Sequence, residues 1–166
     1  MINTKKRVSD SRVIMTQLIL PEHTNDLGTV FGGQLMSWVD IAAAICARRH
    51  AQRNVVTASV DALSFLAPIR LGWIATLQAS VNYVWSSSCE IGVKVTAENP
   101  STGETFHTAS AYVTMVALDS NGRPCKITSL IPEGADEERR FEEAQQRRAA
   151  RLKLKKEIAS KRSQDS

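Results

Sequence analysis

A single acidic side chain, Asp40, lies in an otherwise uncharged run of the chain from 31 to 47. Gly32 and Gly33 precede it, at the point where a helix is predicted to begin. The first amides of a helix lack partners within it, so this junction can hold a carbonyl oxygen or an anion. A carboxylate buried among apolar residues is costly, which favours a functional role for Asp40. The alternative is a structural acid that caps or pairs at a helix surface.

The predicted helix extends from about residue 32 to about residue 50. Residues separated by three, four and seven positions share one face of a helix, so Gly33, Met36 or Ser37, and Asp40 line up. Helical side chains lean toward the N-terminus, so the Asp40 carboxylate is expected to point toward the glycine turn. Ser37 does not lie in a G-x-S-x-G nucleophile elbow, and no histidine partner accompanies it. Both observations favour an ordinary serine on the helix surface.

Three blocks of sequence resemble one known family. The run H-x-N-x-x-G-x-x-F-G-G-x-L-M-x-W-x-D from His23 to Asp40 resembles the signature of hotdog-fold acyl-CoA thioesterases. More narrowly, it is similar to the cytosolic (brain-type) acyl-CoA hydrolase group and its bacterial relatives. The second and third blocks are 55–72 and 86–91, and the similarity extends from about residue 12 to about residue 145. The resemblance implies an α+β hotdog fold, in which a curved antiparallel sheet wraps one long central helix, with a C-terminal helix in addition.

The resemblance also implies an activity and roles for individual residues. An acyl-CoA thioesterase hydrolyses its substrate to a free fatty acid and CoA. Asp40 would be the general base on water, with direct nucleophilic attack as the alternative. Asn25 would orient the water or the carbonyl, and the backbone amide of Gly33 would polarise that carbonyl. In relatives the matching asparagine and aspartate meet across a dimer interface, which predicts two equivalent composite sites per dimer.

Five residues are expected to contact the substrate, in the glycine turn, on the helix and in two later turns: Gly32, Met36, Arg70, Ser87 and Ser88. Leu35, Met36 and Val39 are expected to line an apolar groove for the acyl chain. For the last three of the five contact residues the alternative is a surface arginine and ordinary turn serines. No cofactor is expected, since CoA is part of the substrate and product. Zinc is not expected either, because none of the three histidines has ligand spacing to a cysteine.

Composition fits a single soluble domain. With 166 residues and a formal charge of +4, the chain is long enough for one well-cored domain, and its charge alone does not argue for nucleic acid. We expect a disordered N-terminus over 1–11, one hotdog domain over 12–131 and a charged helical tail over 132–166. Three widely spaced cysteines, with no secretory signal and no membrane span, favour reduced thiols in a cytoplasmic protein.

Alternation of apolar residues predicts five strands, at about 13–20, 55–67, 73–85, 89–98 and 104–118. A lone unit with an edge strand and a one-sided core is expected to dimerise edge to edge. The resemblance further implies a trimer of dimers. The tail is expected to be a solvated helix that packs weakly on the assembly, and the alternative is a basic arm that attracts CoA phosphates, an acidic protein or RNA.

Two other functions remain open at this stage. A non-catalytic acyl-CoA-binding regulator would be expected to carry a DNA-binding module before the hotdog unit, and the short polar N-terminus leaves little room for one. A hotdog acyl hydratase would need an aspartate–histidine pair, for which His23 is the only nearby candidate. A loop-structuring hydrogen bond is the other explanation of His23.

Overall fold

Two α-helices and seven strands make up the part of the fold that the structure describes. The computed structural model describes the backbone of residues 5–164 and the side chains of residues 5–161. The helices are α1 (Gly32–Ala51) and α2 (Ala135–Gln164), and short 3-10 helices lie at Val8–Asp10 and Pro21–His23. The strands are β1 (Lys6–Arg7), β2 (Val13–Leu18), β3 (Asn54–Phe65), β4 (Ile74–Val84), β5 (Ser88–Glu98), β6 (Thr105–Leu118) and β7 (Leu130–Ile131).

Five strands form one antiparallel sheet in the order β2-β4-β5-β6-β3, and β1 pairs in parallel with β7. Register shifts interrupt the β3–β6, β4–β5 and β5–β6 pairs, and such shifts bend a sheet. α1 packs on one face and α2 on the other. This is the hotdog arrangement, and it confirms the fold expected from the sequence.

α1 forms where periodicity predicts it and packs closely on the sheet. Leu35, Val39, Ala42 and Cys46 recur at helical spacing and are all buried. The small side chains among them allow the helix axis to approach the strands, whose inward residues are mostly alanine and valine. The helix ends at Gln52, which adopts the left-handed conformation that closes many helices. This packing therefore sets the distance between α1 and the sheet, and the rotation of α1 about its own axis.

The start of the described chain differs from expectation. Disorder was predicted over 1–11, yet β1 pairs with β7 and Val8 is only 3% exposed. Lys6 also donates from Nζ to the carbonyl oxygen of His50, at 2.8 Å. These partners lie far away in sequence, so local composition could not reveal them. Residues 1–4 lie outside the described part of the chain.

α2 packs on the outer face of the sheet, more firmly than the expected solvated helix. Ala144 is fully buried, and the Phe141 ring lies 4.4 Å from that of Tyr83, centroid to centroid. Beyond Arg151 the side chains described are exposed. The first half of α2 is therefore an integral layer of the fold, and the second half extends beyond it. Among residues 5–164, no helix combines the length and the apolar character needed to cross a bilayer.

A buried ion pair fastens α2 to the sheet. Glu90 is completely buried, and Arg147 donates to both of its carboxylate oxygens, at 2.7 and 3.2 Å. Asn82 donates to the same carboxylate at 3.0 Å. Burial lowers the pKa of Arg147, but the hydrogen bonds and the charge of Glu90 outweigh it and raise the pKa overall. Gly92 leaves room for this group, because a Cβ there would come within 2.7 Å of Asn82 Nδ2.

Arg147→Ala is expected to lower the free energy of unfolding by roughly 3 kcal/mol, because it leaves a buried carboxylate without its charge partner. Urea or thermal unfolding measures the effect. Arg148→Ala is the matched control, since Arg148 covers the Trp85 ring, with 4.3 Å between its Cζ and the ring centroid. Equal losses in the two variants would contradict a dominant role for the Glu90 pair.

Candidate active site

The start of α1 presents uncommitted backbone donors. Phe31 precedes the helix, and its carbonyl oxygen accepts from the amides of Gln34 and Leu35, at 2.9 and 3.1 Å. Within the described chain, the amides of Gly32 and Gly33 have no hydrogen-bond partner. A Cβ at Gly33 would come within 2.5 Å of the Phe31 ring. Glycine therefore lets the ring lie against the helix start, where the free amides can hold a carbonyl oxygen.

The preceding loop holds Asn25 by one end of its side-chain amide. Its Oδ1 accepts from the amide of Leu27 and from both the amide and the hydroxyl of Thr29, at 3.0 to 3.2 Å. Gly28, with φ of 70°, supplies the left-handed residue of the same turn. Asn25 Nδ2 has no partner among the described residues. The loop thus orients the side chain and leaves its N–H groups free to donate.

Asp40 lies on the exposed side of α1, which corrects the expectation of a buried carboxylate. Thr57 of β3 donates from Oγ1 to Asp40 Oδ1, at 2.5 Å. Thr57 is not among the residues predicted from the sequence, although it lies in the second block of the family resemblance. Its only signal was a hydroxyl within a short apolar strand, and the pairing with Asp40 depends on how β3 lies along α1.

Gly33 and Asp40 share a face of α1, as the spacing predicts, but they do not meet within one protomer. Seven residues of helix separate them by about 10 Å along the axis. The Asp40 carboxylate also bonds across to β3 instead of reaching back to the glycine turn. A single water therefore cannot bridge the Gly33 amide and the Asp40 carboxylate of the same chain.

An apolar pocket of about 400 Å³ adjoins the start of α1. Its lining comes from the helix start and from the end of β3 with the turn after it: Val30, Gly32, Leu35, Phe65, Leu66, Ala67, Pro68 and Ile69. Leu35, which is predicted to line an acyl groove, is part of this lining, and so is Gly32, a predicted substrate contact. Val39 is 2% exposed and belongs to the core, so its predicted place in the groove is wrong. Met36 is 46% exposed and lies outside the lining.

The residues assigned to CoA lie at two ends of one protomer. Arg70 is exposed and lies just before β4. Its backbone forms an isolated antiparallel β-bridge with Thr29. Ser87 lies in the turn after β4, where the amide of Ala117 donates to its carbonyl oxygen at 2.9 Å, and Ser88 is the first residue of β5. The 11 residues of β4 separate the two ends by about 33 Å. A single protomer does not bring Arg70 and the serines together.

His23 has a structural explanation. The amide of Leu20 donates to His23 Nδ1 at 3.1 Å, and the imidazole ring meets Trp38 edge-on, with 5.0 Å between centroids. Both contacts shape the loop that leads to Asn25. This arrangement favours the loop-structuring interpretation of His23 over a catalytic one.

The cysteines do not offer an alternative nucleophile. All three are free thiols, and Cys46 and Cys89 are buried. Burial raises the pKa of each of these two thiols to about 12, so neither is a thiolate near neutral pH. Cys125 is half-buried and lies in the segment after β6. The two buried thiols are therefore poor candidates for a nucleophile.

Exposed apolar side chains lie on the elements that hold the Asp40 carboxylate. Met36 and Ile41 of α1 are each 46% exposed, and Val60 of β3 is 41% exposed. β3 is also an edge strand, so one side of its backbone has no pairing partner within the sheet. An apolar face beside an unpaired strand is typical of a surface that a second chain covers.

Comparisons with known proteins show the family to which the chain belongs. Residues 27–104 match the model of the thioesterase superfamily. An uncharacterized acyl-CoA thioester hydrolase of Bacillus subtilis is 43% identical over 128 residues, which are 77% of this chain and 74% of that protein. The chain belongs to the acyl-CoA thioester hydrolase family of this superfamily.

Solved structures extend the family match to the whole fold. The acyl-CoA hydrolase of Staphylococcus aureus, in complex with butyryl-CoA, CoA and CoA disulfide, is 35% identical with a TM-score of 0.85. The match covers 95% of this chain and 98% of that one. An apo-hexameric acyl-CoA thioesterase is 37% identical with a TM-score of 0.88, covering 90% of this chain and 96% of that one.

Three further solved structures are alanine variants of the S. aureus acyl-CoA hydrolase. Structures exist in which alanine replaces an asparagine, an aspartate or a threonine. These three residues have the same order and the same spacing along that chain as Asn25, Asp40 and Thr57 have here. The correspondence includes Thr57, which is not among the residues predicted from the sequence.

Proposed function

We propose that this protein hydrolyses acyl-CoA thioesters to a free fatty acid and CoA. The observation that carries the proposal is the Asp40 carboxylate, held by Thr57 on an exposed helix face. The spacing between Asp40 and Thr57 along the chain equals that between the aspartate and the threonine replaced in the S. aureus acyl-CoA hydrolase. The apolar pocket beside Gly32 offers space for an acyl chain, and the uncommitted N–H groups offer donors for a carbonyl.

The chemistry follows from which atoms are free. Thr57 occupies Asp40 Oδ1, so Oδ2 would accept a proton from water as the water oxygen attacks the thioester carbon. The Gly33 amide and Asn25 Nδ2 would donate to the carbonyl oxygen as negative charge develops on it. When the C–S bond breaks, the proton on Asp40 would pass to the departing thiolate. The alternative is attack by Asp40 itself, with water then hydrolysing the acyl-aspartate.

The two halves of this site would come from two protomers. Because Gly33 and Asp40 of one chain are separated by about 10 Å along α1, the donors of one chain would face the carboxylate of another. Pairing through the exposed face and the β3 edge would produce two such sites per dimer. The hexameric relative supports assembly beyond a single chain, and a trimer of dimers is the arrangement we propose.

CoA would also span two protomers. Arg70 lies at one end of β4 and the Ser87–Ser88 turn at the other, so both could contact one nucleotide only from different chains. CoA is part of the substrate in this proposal, and no other cofactor takes part. We also propose that the enzyme acts in the cytoplasm.

Release of free thiol across acyl-CoAs from acetyl to palmitoyl tests the proposed function. The expected result is turnover of at least part of the series by the wild-type protein, and its loss in Asp40→Ala. The same panel ranks acyl chain lengths. Tight binding of acyl-CoA without turnover by the wild-type protein would overturn the proposal and place the protein among acyl-CoA-binding regulators.

A further inference from the structure

β3 is irregular at the place where it supplies Thr57. The strand pairs only with β6, and its register shifts twice, between Thr57 and Ser59 and again between Val60 and Ala62. Each shift leaves one residue without an opposite partner and bends the strand. The direction of the Thr57 hydroxyl therefore depends on what holds the segment that follows it.

Side chains on the outer face hold that segment. Asp61 is the residue that the second register shift leaves unpaired. Its carboxylate accepts from the Ser59 hydroxyl at 2.9 Å and from Nη1 of Arg151. The same Arg151 Nη1 lies 3.2 Å from the hydroxyl of Thr114, which is the residue of β6 paired with Ser59. Asp61 is 14% exposed at its side chain. One guanidinium thus joins both strands across the irregular segment.

The part of α2 that carries Arg151 is held against the sheet. Arg151 lies one helical turn after Arg147, whose ion pair with the buried Glu90 fastens α2 to β5. Its side chain is 29% exposed, so water shields the contact only in part. α2 therefore presents the guanidinium to β3 from a defined position, although α2 touches neither Asp40 nor the apolar pocket among the contacts described.

We propose that Arg151 is a positioning residue for the hydrolytic site. Its contact with Asp61 and Thr114 fixes the irregular segment of β3, which keeps the Thr57 hydroxyl on Asp40 Oδ1 and leaves Oδ2 turned to the substrate. The proposal rests on the proposed function, and it assigns to the C-terminal helix a role in turnover that differs from the expected solvated tail.

A double-mutant cycle on kcat tests this role. Arg151→Ala is expected to lower kcat about tenfold with KM within about twofold, because the substrate contacts remain and only the alignment of Asp40 is lost. In a Thr57→Ala background the same substitution is expected to change kcat little, since its effect passes through Thr57. Arg151→Lys is expected to recover part of the loss, and Arg148→Ala, on the same helix, to leave kcat unchanged.

Three results would contradict a positioning role for Arg151. Equal losses from Arg151→Ala with and without Thr57 would overturn the proposal, as would a change confined to KM. A lower oligomeric mass for Arg151→Ala in light scattering would overturn it too, since the effect would then pass through assembly. All these results leave wild-type hydrolysis intact, so failure of this proposal is distinct from failure of the proposed function.

Discussion

Asp40→Ala is expected to lower kcat by a factor of about 10²–10⁴, the range typical of a lost general base. The carboxylate is exposed and makes one hydrogen bond, to Thr57, so its removal is expected to leave the fold intact. Initial rates of thiol release at saturating acyl-CoA measure the loss. Thermal unfolding of the same preparation checks that the variant is folded.

Asp26→Ala is the matched control for this experiment. Asp26 is an exposed acid in the turn beside Asn25, and it carries the same charge without the contact to Thr57. Its replacement is expected to leave kcat close to that of the wild type. If Asp40→Ala kept more than about a tenth of wild-type turnover, another group would have to activate water, and the assignment would be wrong.

The second large effect is expected at Asn25, where two functions of one side chain must be separated. Oδ1 anchors the loop through three accepted hydrogen bonds, whereas Nδ2 is the proposed donor to the substrate carbonyl. Asn25→Ala removes both. Asn25→Asp keeps the acceptors and the shape of the side chain, and removes the N–H groups.

Both variants are therefore expected to lose about 10²–10³ in kcat, the usual effect of removing a donor to the developing oxyanion. Only Asn25→Ala is expected to loosen the loop as well, visible as faster amide exchange at Leu27 and Thr29. An active Asn25→Asp would show that the amide donor is dispensable and that the asparagine only builds the loop.

Much of the site was predictable from sequence because its key features are local. The uncharged run around Asp40, the glycine pair and the helical spacing all lie within one short segment, and α1 begins and ends close to the predicted residues. The strands between 54 and 118 likewise follow from alternation, which reports the two faces of a sheet directly.

What the sequence could not give depends on contacts between distant segments. The pairing of β1 with β7 joins two segments that are far apart along the chain, and the contact of Thr57 with Asp40 depends on the placement of β3 against α1. Asp40 was expected to be buried because its sequence neighbours are apolar, but a helix turns such neighbours to different sides. The separation of Arg70 from the Ser87–Ser88 turn needed the length and direction of β4.

Subunit mixing tests the composite site most directly. Asp40→Ala and Asn25→Ala proteins, each inactive alone, are combined under conditions where exchange between oligomers is demonstrated with distinguishable tags. Random pairing into dimers leaves one intact site in half of them, so about a quarter of wild-type activity is predicted to return. No recovery despite complete exchange would place Asn25 and Asp40 in the site of a single chain, and would contradict the account.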